Sequence, residues 1–386
     1  MKKKIIVLAI ALALGSPALS FADGENVIVY GRANVSFDMV NTSGAAGTRT
    51  TQVSSNSSFL GFKGSEEMDD GWTATWQIEQ RIDIDNSAAG SNLFGTRNTF
   101  VNLMNGQYGV FILGRHDTPY KLASRTMDVF FDTIADNRSL MGGASLNLAN
   151  LGGTSAGASF DGRQGDVIAY IAPAIGDLMI TGAYVAGAEA AITNGQVKGD
   201  AWSFAGLYTY GPLNANLGYE VHHLGSSGTG TLAPIAGLEN LSERAWKLGV
   251  SYAFDSFTLY GVYERTADNL GGVLGLPARS NLLGHRSYYL AGKYRLGGDT
   301  IKAAYTNAGE LNMNGGGQNT GAQQWSLGYD HKLSRRTSVY ALYTRLNNDS
   351  GVSFNLAPTD ASTGSASASA AGADPSAFSV GMRHTF

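Results

Sequence analysis

From residue 27 onward the chain alternates. Val27, Val29, Gly31, Ala33, Val35, Phe37 and Met39 take one parity and Tyr30, Arg32, Asn34, Ser36 and Asp38 the other, the period-two signature of a strand with one apolar and one polar face. The run is about twice as long as the usual strand of a water-soluble domain. The pattern returns over roughly 55–66, with Leu60 and Phe62 apolar, and over 72–85, where Trp72, Ala74, Trp76, Ile78 and Ile82 oppose Gln77, Glu79, Arg81 and Asp83. Later series are Leu213, Ala215, Leu217, Tyr219, Val221; Trp246, Leu248, Val250, Tyr252, Phe254; and Phe257, Leu259, Gly261, Tyr263. Tyr288, Leu290, Gly292, Tyr294 and Leu296 oppose Tyr289, Ala291, Lys293 and Arg295 in the same way. The apolar series are expected to face lipid, with the terminal aromatics at the membrane–water interfaces.

The links between these strands alternate in length. Short turns fall at 67–71, 105–107, 173–177, 211–212, 255, 297–298 and 334–336; long polar or Gly-rich links fall near 41–54, 86–95, 117–161, 187–199, 225–242, 267–284, 309–321 and 347–375. Seven short turns and eight long loops predict an all-β fold, a transmembrane antiparallel β-barrel of about sixteen strands with both termini on one side. The last strand carries Phe378, Val380, Met382, His384 and Phe386 on one face, and pairing it with the Val27 strand would close the barrel and leave no free edge. A β-sandwich or a solenoid also alternates, but its strands are shorter, and no fixed-period repeat is present. The Ala/Ser/Gly-rich stretch 357–376 reads as a low-complexity surface loop, since a strand follows it.

One link breaks the pattern. Segment 117–161 places Val129, Phe130, Ile134 and Leu140 at irregular spacing and Asp128, Asp132 and Asp136 four apart, which would put the acids on one face of a helix. A connection this long inside a compact domain is expected to be functional.

Composition narrows the class. Met1-Lys-Lys-Lys4 followed by an apolar run over 5–14 and small residues near Ala22 predicts an export signal over 1–22, leaving 23–386 as the mature barrel. Removing three lysines from 27 basic and 31 acidic residues leaves 24 against 31, an excess of negative charge that argues against nucleic-acid binding. The chain has no cysteine, which excludes disulfides, thiolate metal sites and cysteine nucleophiles. No later apolar run reaches the length of a membrane helix, which says nothing against a barrel.

Motifs that would carry chemistry are weak. Gly153-Thr-Ser-Ala-Gly157 matches a hydrolase nucleophile elbow but lacks the following helix pattern. The six histidines include no pair two apart, and His222 and His223 point to opposite faces, so neither a metal nor a cofactor is expected. The acidic run 66–70 has the oxygen ligands a cation such as calcium would use, and reads first as a solvated turn.

Taken in order, Val29-Tyr-Gly-Arg32, Leu60-Gly-Phe-Lys-Gly-Ser-Glu66, Trp76-Gln-Ile-Glu79, Gly114-Arg-His-Asp-Thr-Pro-Tyr-Lys121, Asp132-Thr-Ile-Ala-Asp136, Arg336-Thr-Ser-Val-Tyr340 and Val380-Gly-Met-Arg-His-Thr-Phe386 resemble the general (non-specific) porins of the Gram-negative outer membrane, in their β-proteobacterial form. The resemblance spans the mature chain. It implies a homotrimer of sixteen-stranded barrels embedded among outer-membrane lipid and lipopolysaccharide, passing small hydrophilic solutes and ions passively. It also implies that the third loop folds inward as a constriction, its acids facing wall cations, and that barrel-insertion machinery reads the strand ending in Phe386. Carried over by position, Arg32, Arg97 and Arg115 are expected on the wall and Asp128, Asp132 and Asp136 on the loop. Phe59 and Ala169 stand where the family often has arginines, a thinner basic wall that leaves the ion preference open.

Other readings remain at this point. A substrate-specific porin would line its lumen with a file of aromatics, and Tyr260, Tyr289 and Tyr340 fall on the inward parity. A barrel enzyme would need a Ser/His/Asp constellation, and a structural barrel a plugged lumen or a large outer domain; neither is visible in the sequence.

Overall fold

The computed structural model describes residues 27–43, 47, 49–85, 94–142, 160–187, 199–225, 240–274, 277, 279–316, 318–356 and 370–386. The expected export signal, the 153–157 motif and most of the low-complexity stretch lie outside these residues.

The chain is almost entirely antiparallel sheet. Its strands are β1 (Ile28–Thr42), β2 (Arg49–Ser55), β3 (Phe59–Glu67), β4 (Trp72–Arg81), β5 (Thr99–Asn105), β6 (Gly109–Asp117), β7 (Arg163–Ile171) and β8 (Leu178–Val185). Then follow β9 (Asp200–Tyr210), β10 (Leu213–His223), β11 (Ser242–Phe254), β12 (Phe257–Asp268), β13 (Arg286–Leu296), β14 (Asp299–Ala308), β15 (Ala322–Lys332), β16 (Thr337–Asn348) and β17 (Pro375–Thr385). Both β2 and β3 pair with β1, opposite its outer and inner halves, so they are one barrel strand interrupted at 56–58. Among the described residues the barrel therefore has sixteen strands. It closes through β1 and β17, with Val35 opposite Met382 and Phe37 opposite Val380.

The alternation read from the sequence is the alternation of the wall. Leu217, Leu248, Leu259, Leu290, Leu327 and Val380 are exposed on the outer face, where lipid replaces water as solvent. Aromatics form two outer levels. On β11, Trp246 lies toward the long loops and Tyr252 toward the short turns, six residues or about 20 Å apart along the strand.

Two boundaries differ from expectation. The first long link is shorter than 41–54, because β2 begins at Arg49 and Thr50, Thr51 and Val53 extend the ladder against Val40, Met39 and Phe37. β4 ends at Arg81 rather than Asp85: Ile82 makes one last bond to the Ser58 carbonyl, where the neighbouring strand is itself interrupted.

The inner face is less uniformly polar than the parity suggests. Val40, Leu342 and Leu346 point inward and pack with Phe354 against Phe130, Ile134 and Leu140 of the segment between β6 and β7. A second apolar strip joins Phe100, Ile112, Val167, Ala169, Ala183 and Val185. Ala169, noted in the sequence as a departure from the basic wall, belongs to that strip.

Candidate functional site

The first described stretch of the long segment, 118–142, begins with a helix. Thr118 caps α1 (Pro119–Arg125) by accepting from Lys121 N, and Pro119 occupies the first turn, where its missing N–H costs nothing. Residues 128–136 do not continue it. The spacing of the acids predicts a helix there, but the structure has successive turns followed by a 3₁₀ turn at Asn137–Ser139. Asparagine-like behaviour of the aspartates explains the difference: their side chains bond nearby backbone and compete with helical hydrogen bonds. Asp128 accepts from Phe130 N and Asn137 N at 2.8 and 3.0 Å, Asp136 accepts from Asp132 N at 3.1 Å and from Arg138 N at 3.0 Å, and Asp132 itself adopts φ 54°.

The turns bring the three acids around one cation. The Arg125 guanidinium lies 2.7 Å from Asp136, 2.9 Å from Asp132 and 3.9 Å from Asp128. Arg138 pairs with Asp136 at 3.0 Å, and Arg32 of β1 pairs with Asp132. Asp128, Asp132 and Asp136 are all buried. Burial alone would raise Asp132, but Arg32, Arg125 and Arg138 hold it below the usual carboxylate range. Asp136 is likewise lowered against its burial by Arg125 and Arg138. Asp128 behaves oppositely: burial, then the neighbouring Asp136 charge, pushes it up to about 7. On α1, burial lowers Lys121 to about 8, although Asp117 accepts from it at 2.7 Å.

The segment is fastened to the wall on opposite sides of the ring. At one end, Asn216 of β10 donates to the Ala123 carbonyl at 2.9 Å and Ser203 of β9 accepts from Tyr120 N at 2.9 Å. At the other, Asn34 of β1 donates to the Asp132 carbonyl at 3.0 Å. Between them, Glu264 of β12 accepts from Tyr120 Oη at 2.6 Å and from Gly142 N at 2.9 Å, and Tyr289 of β13 donates to Asp128 at 3.1 Å. Glycines clear the space. A Cβ on Gly218 would meet Ala123 Cβ at 3.0 Å, and one on Gly328 would meet the Phe130 ring at 2.6 Å.

The expected wall cations are only partly brought together. Arg32 also donates to the carbonyl of Ser57, a residue at φ 55° in the interruption between β2 and β3. Arg97 lies 3.7 Å from Glu79 and stacks on Phe59, its guanidinium 4.9 Å from the ring centroid. Arg115, beside a bulge at Gly114–His116, donates to the Thr96 carbonyl at 3.1 Å and has no carboxylate within 4 Å among the described residues. The sequence reading missed Arg125, Arg138, Arg163 and Arg383. Arg163 pairs with Asp117 at 3.1 Å, while Arg383 has no carboxylate within that reach among the described residues. Arg125 and Arg138 flank the acids closely enough in sequence to have been noticed, and Arg383 lies on the inward parity of its strand with Ser379 and Gly381.

A closed sixteen-stranded barrel with an apolar outer face and charged side chains inside defines an outer-membrane β-barrel channel. The chain belongs to the Gram-negative porin family, whose profile matches residues 7–351. It is 26% identical over 392 residues to outer membrane porin protein 32 of Delftia acidovorans, covering the whole of both chains. Among solved structures, it resembles an anion-selective porin from Comamonas acidovorans with a TM-score of 0.73 and 22% identity, over 94% of this chain and 100% of that one. It also resembles the trimer form of the Vibrio cholerae outer membrane protein OmpT, with a TM-score of 0.63 and 14% identity over 94% and 100%. The protein is accordingly a porin of β-proteobacterial type that resides in the outer membrane and provides a channel for passive diffusion. Family and fold point to a channel rather than an enzyme.

Proposed function

We propose that the channel is non-specific, that segment 117–161 folds inward to narrow it, and that the narrow part favours anions. The observation that carries this reading is the fastening of one segment to β10 at Asn216 and to β1 at Arg32 and Asn34, eight strands apart around the ring. A segment so held crosses the lumen. Its carboxylates are spent on Arg32, Arg125 and Arg138, whereas Arg115 and Arg383 face no carboxylate within 4 Å among the described residues and Arg97 only Glu79 at 3.7 Å. The field offered to a solute is therefore set by guanidinium groups, and it orients anions and dipoles in transit. In this reading Arg32, Arg97 and Arg115 line the constriction, and Asp128, Asp132 and Asp136 hold its far side in place. The anion selectivity named for the Comamonas protein fits the same arrangement.

The rest of the reading follows the family: a homotrimer without catalytic activity, exported by residues 1–22, inserted through the strand ending in Phe386 and seated among lipid and lipopolysaccharide. In planar bilayers under a KCl gradient, the reversal potential is expected to carry the sign of chloride permeability, and Arg97→Gln with Arg383→Gln to move it toward zero. A potassium-sign potential overturns the anion preference; no conductance overturns the channel.

A further inference from the structure

Five side chains alternate from the wall to the segment: Arg97, Phe59, Arg32, Phe131 and Arg125. The guanidinium carbons of Arg97 and Arg32 lie 4.9 and 5.5 Å from the Phe59 ring centroid; those of Arg32 and Arg125 lie 5.9 and 3.7 Å from that of Phe131. Planar cations and rings stack on one another readily, because the guanidinium is flat, delocalised and weakly hydrated. Both phenylalanines remain partly exposed.

The hydrogen-bonding capacity along this row is uneven. Arg32 is tied to Asp132 and the Ser57 carbonyl, and Arg125 to Asp132 and Asp136. The Arg97 guanidinium donates to no atom among the described residues and its nearest acid is Glu79 at 3.7 Å, whereas one buried nitrogen without a partner is common to all three, Arg97 Nε, Arg32 Nε and Arg125 Nη1. An aromatic row thus ends on a planar donor fork with capacity to spare.

We infer that, within a channel open to small hydrophilic solutes in general, this row gives planar organic anions, aromatic carboxylates in particular, a binding advantage. The ligand ring stacks in the row beside Phe59, and its carboxylate takes the Arg97 fork in the two-point geometry that guanidinium and carboxylate share. Phe59, which thins the basic wall, supplies in exchange a surface that recognises shape as well as charge. A saturated ring of equal charge lacks the π face, and a small inorganic anion responds to charge alone. The inference rests on the channel reading above, and its test separates the two.

The test uses the full-length protein in planar bilayers carrying chloride current, titrated with benzoate and, separately, with cyclohexanecarboxylate. Benzoate is expected to halve the current at a concentration roughly three- to tenfold lower, the scale of one stacked ring contact. The ratio of the two half-blocking concentrations is read within each variant, so altered conductance does not enter. It is expected to approach one in Phe59→Leu/Phe131→Leu and to fall in Arg97→Lys, which keeps the charge and loses the plane. Chloride current with equal half-blocking concentrations in the unaltered protein overturns this inference and leaves the channel standing. A ratio that persists in both variants overturns its assignment to this row. Absence of chloride current overturns the channel reading itself.

Discussion

Arg125 is the residue on which the segment's charge balance depends. It touches Asp132 and Asp136 at hydrogen-bond distance, lies 3.9 Å from Asp128, and covers the Phe131 ring. Removing one partner of a buried ion pair leaves an uncompensated charge, at a cost of about 3–5 kcal/mol. Arg125→Ala is therefore expected to loosen 126–141 while the strand ladders, which it does not touch, persist. Amide exchange in 126–141 should accelerate at least about tenfold, the equivalent of 1.4 kcal/mol, with exchange in β10–β16 unchanged. Arg125→Lys should rescue little, since one ammonium cannot serve two carboxylates through a rigid fork. Unchanged exchange in the alanine variant would mean that Arg32 and Arg138 suffice to hold the acids.

At the scale of the element, the segment carries carboxylates of opposite pH behaviour. Asp132 and Asp136 are held below the ordinary range, so their contribution is present above the unfolded pKa near 4 and is lost in acid. Asp128 is raised to about 7, so between that pH and the unfolded value the folded segment binds a proton the unfolded one releases. Its contribution is fullest below the unfolded pKa and is lost as pH rises through about 7. Exchange of the amides in 128–137, corrected for intrinsic rates, is thus expected to be slowest near pH 5 and to quicken toward pH 8, and Asp128→Asn to remove the alkaline limb. An alkaline limb that survives this substitution would place the titrating group elsewhere. These turns were not legible in the sequence. Four-apart spacing predicts a helix face, but in the fold the aspartate side chains take the backbone N–H groups that a helix would have used, with Asp132 at φ 54°.

The barrel was legible because period two is a local signal repeated from strand to strand: Val35 to Met39 and Phe378 to Met382 face outward as the parity requires, and they meet across the closing seam. What parity cannot report is which inner residues a distant segment will cover. Leu342 and Leu346 read as exceptions until Phe130 and Ile134 are placed against them, and Gly218 and Gly328 read as weak strand positions until the segment fills the space above them. Arg32 and Asp132 were found, but their joining depended on the interruption at 56–58, whose Ser57 carbonyl also accepts from Arg32. The central claim, that this segment narrows a conducting lumen, is tested most directly by thiol chemistry, for the chain contains no cysteine of its own. Phe131→Cys places a single thiol at a partly exposed position of the segment. Reaction with a bulky cationic methanethiosulfonate during bilayer recording is expected to lower the conductance in discrete steps and to weaken the preference for chloride. A current unaltered after mass spectrometry has verified complete modification would contradict the account.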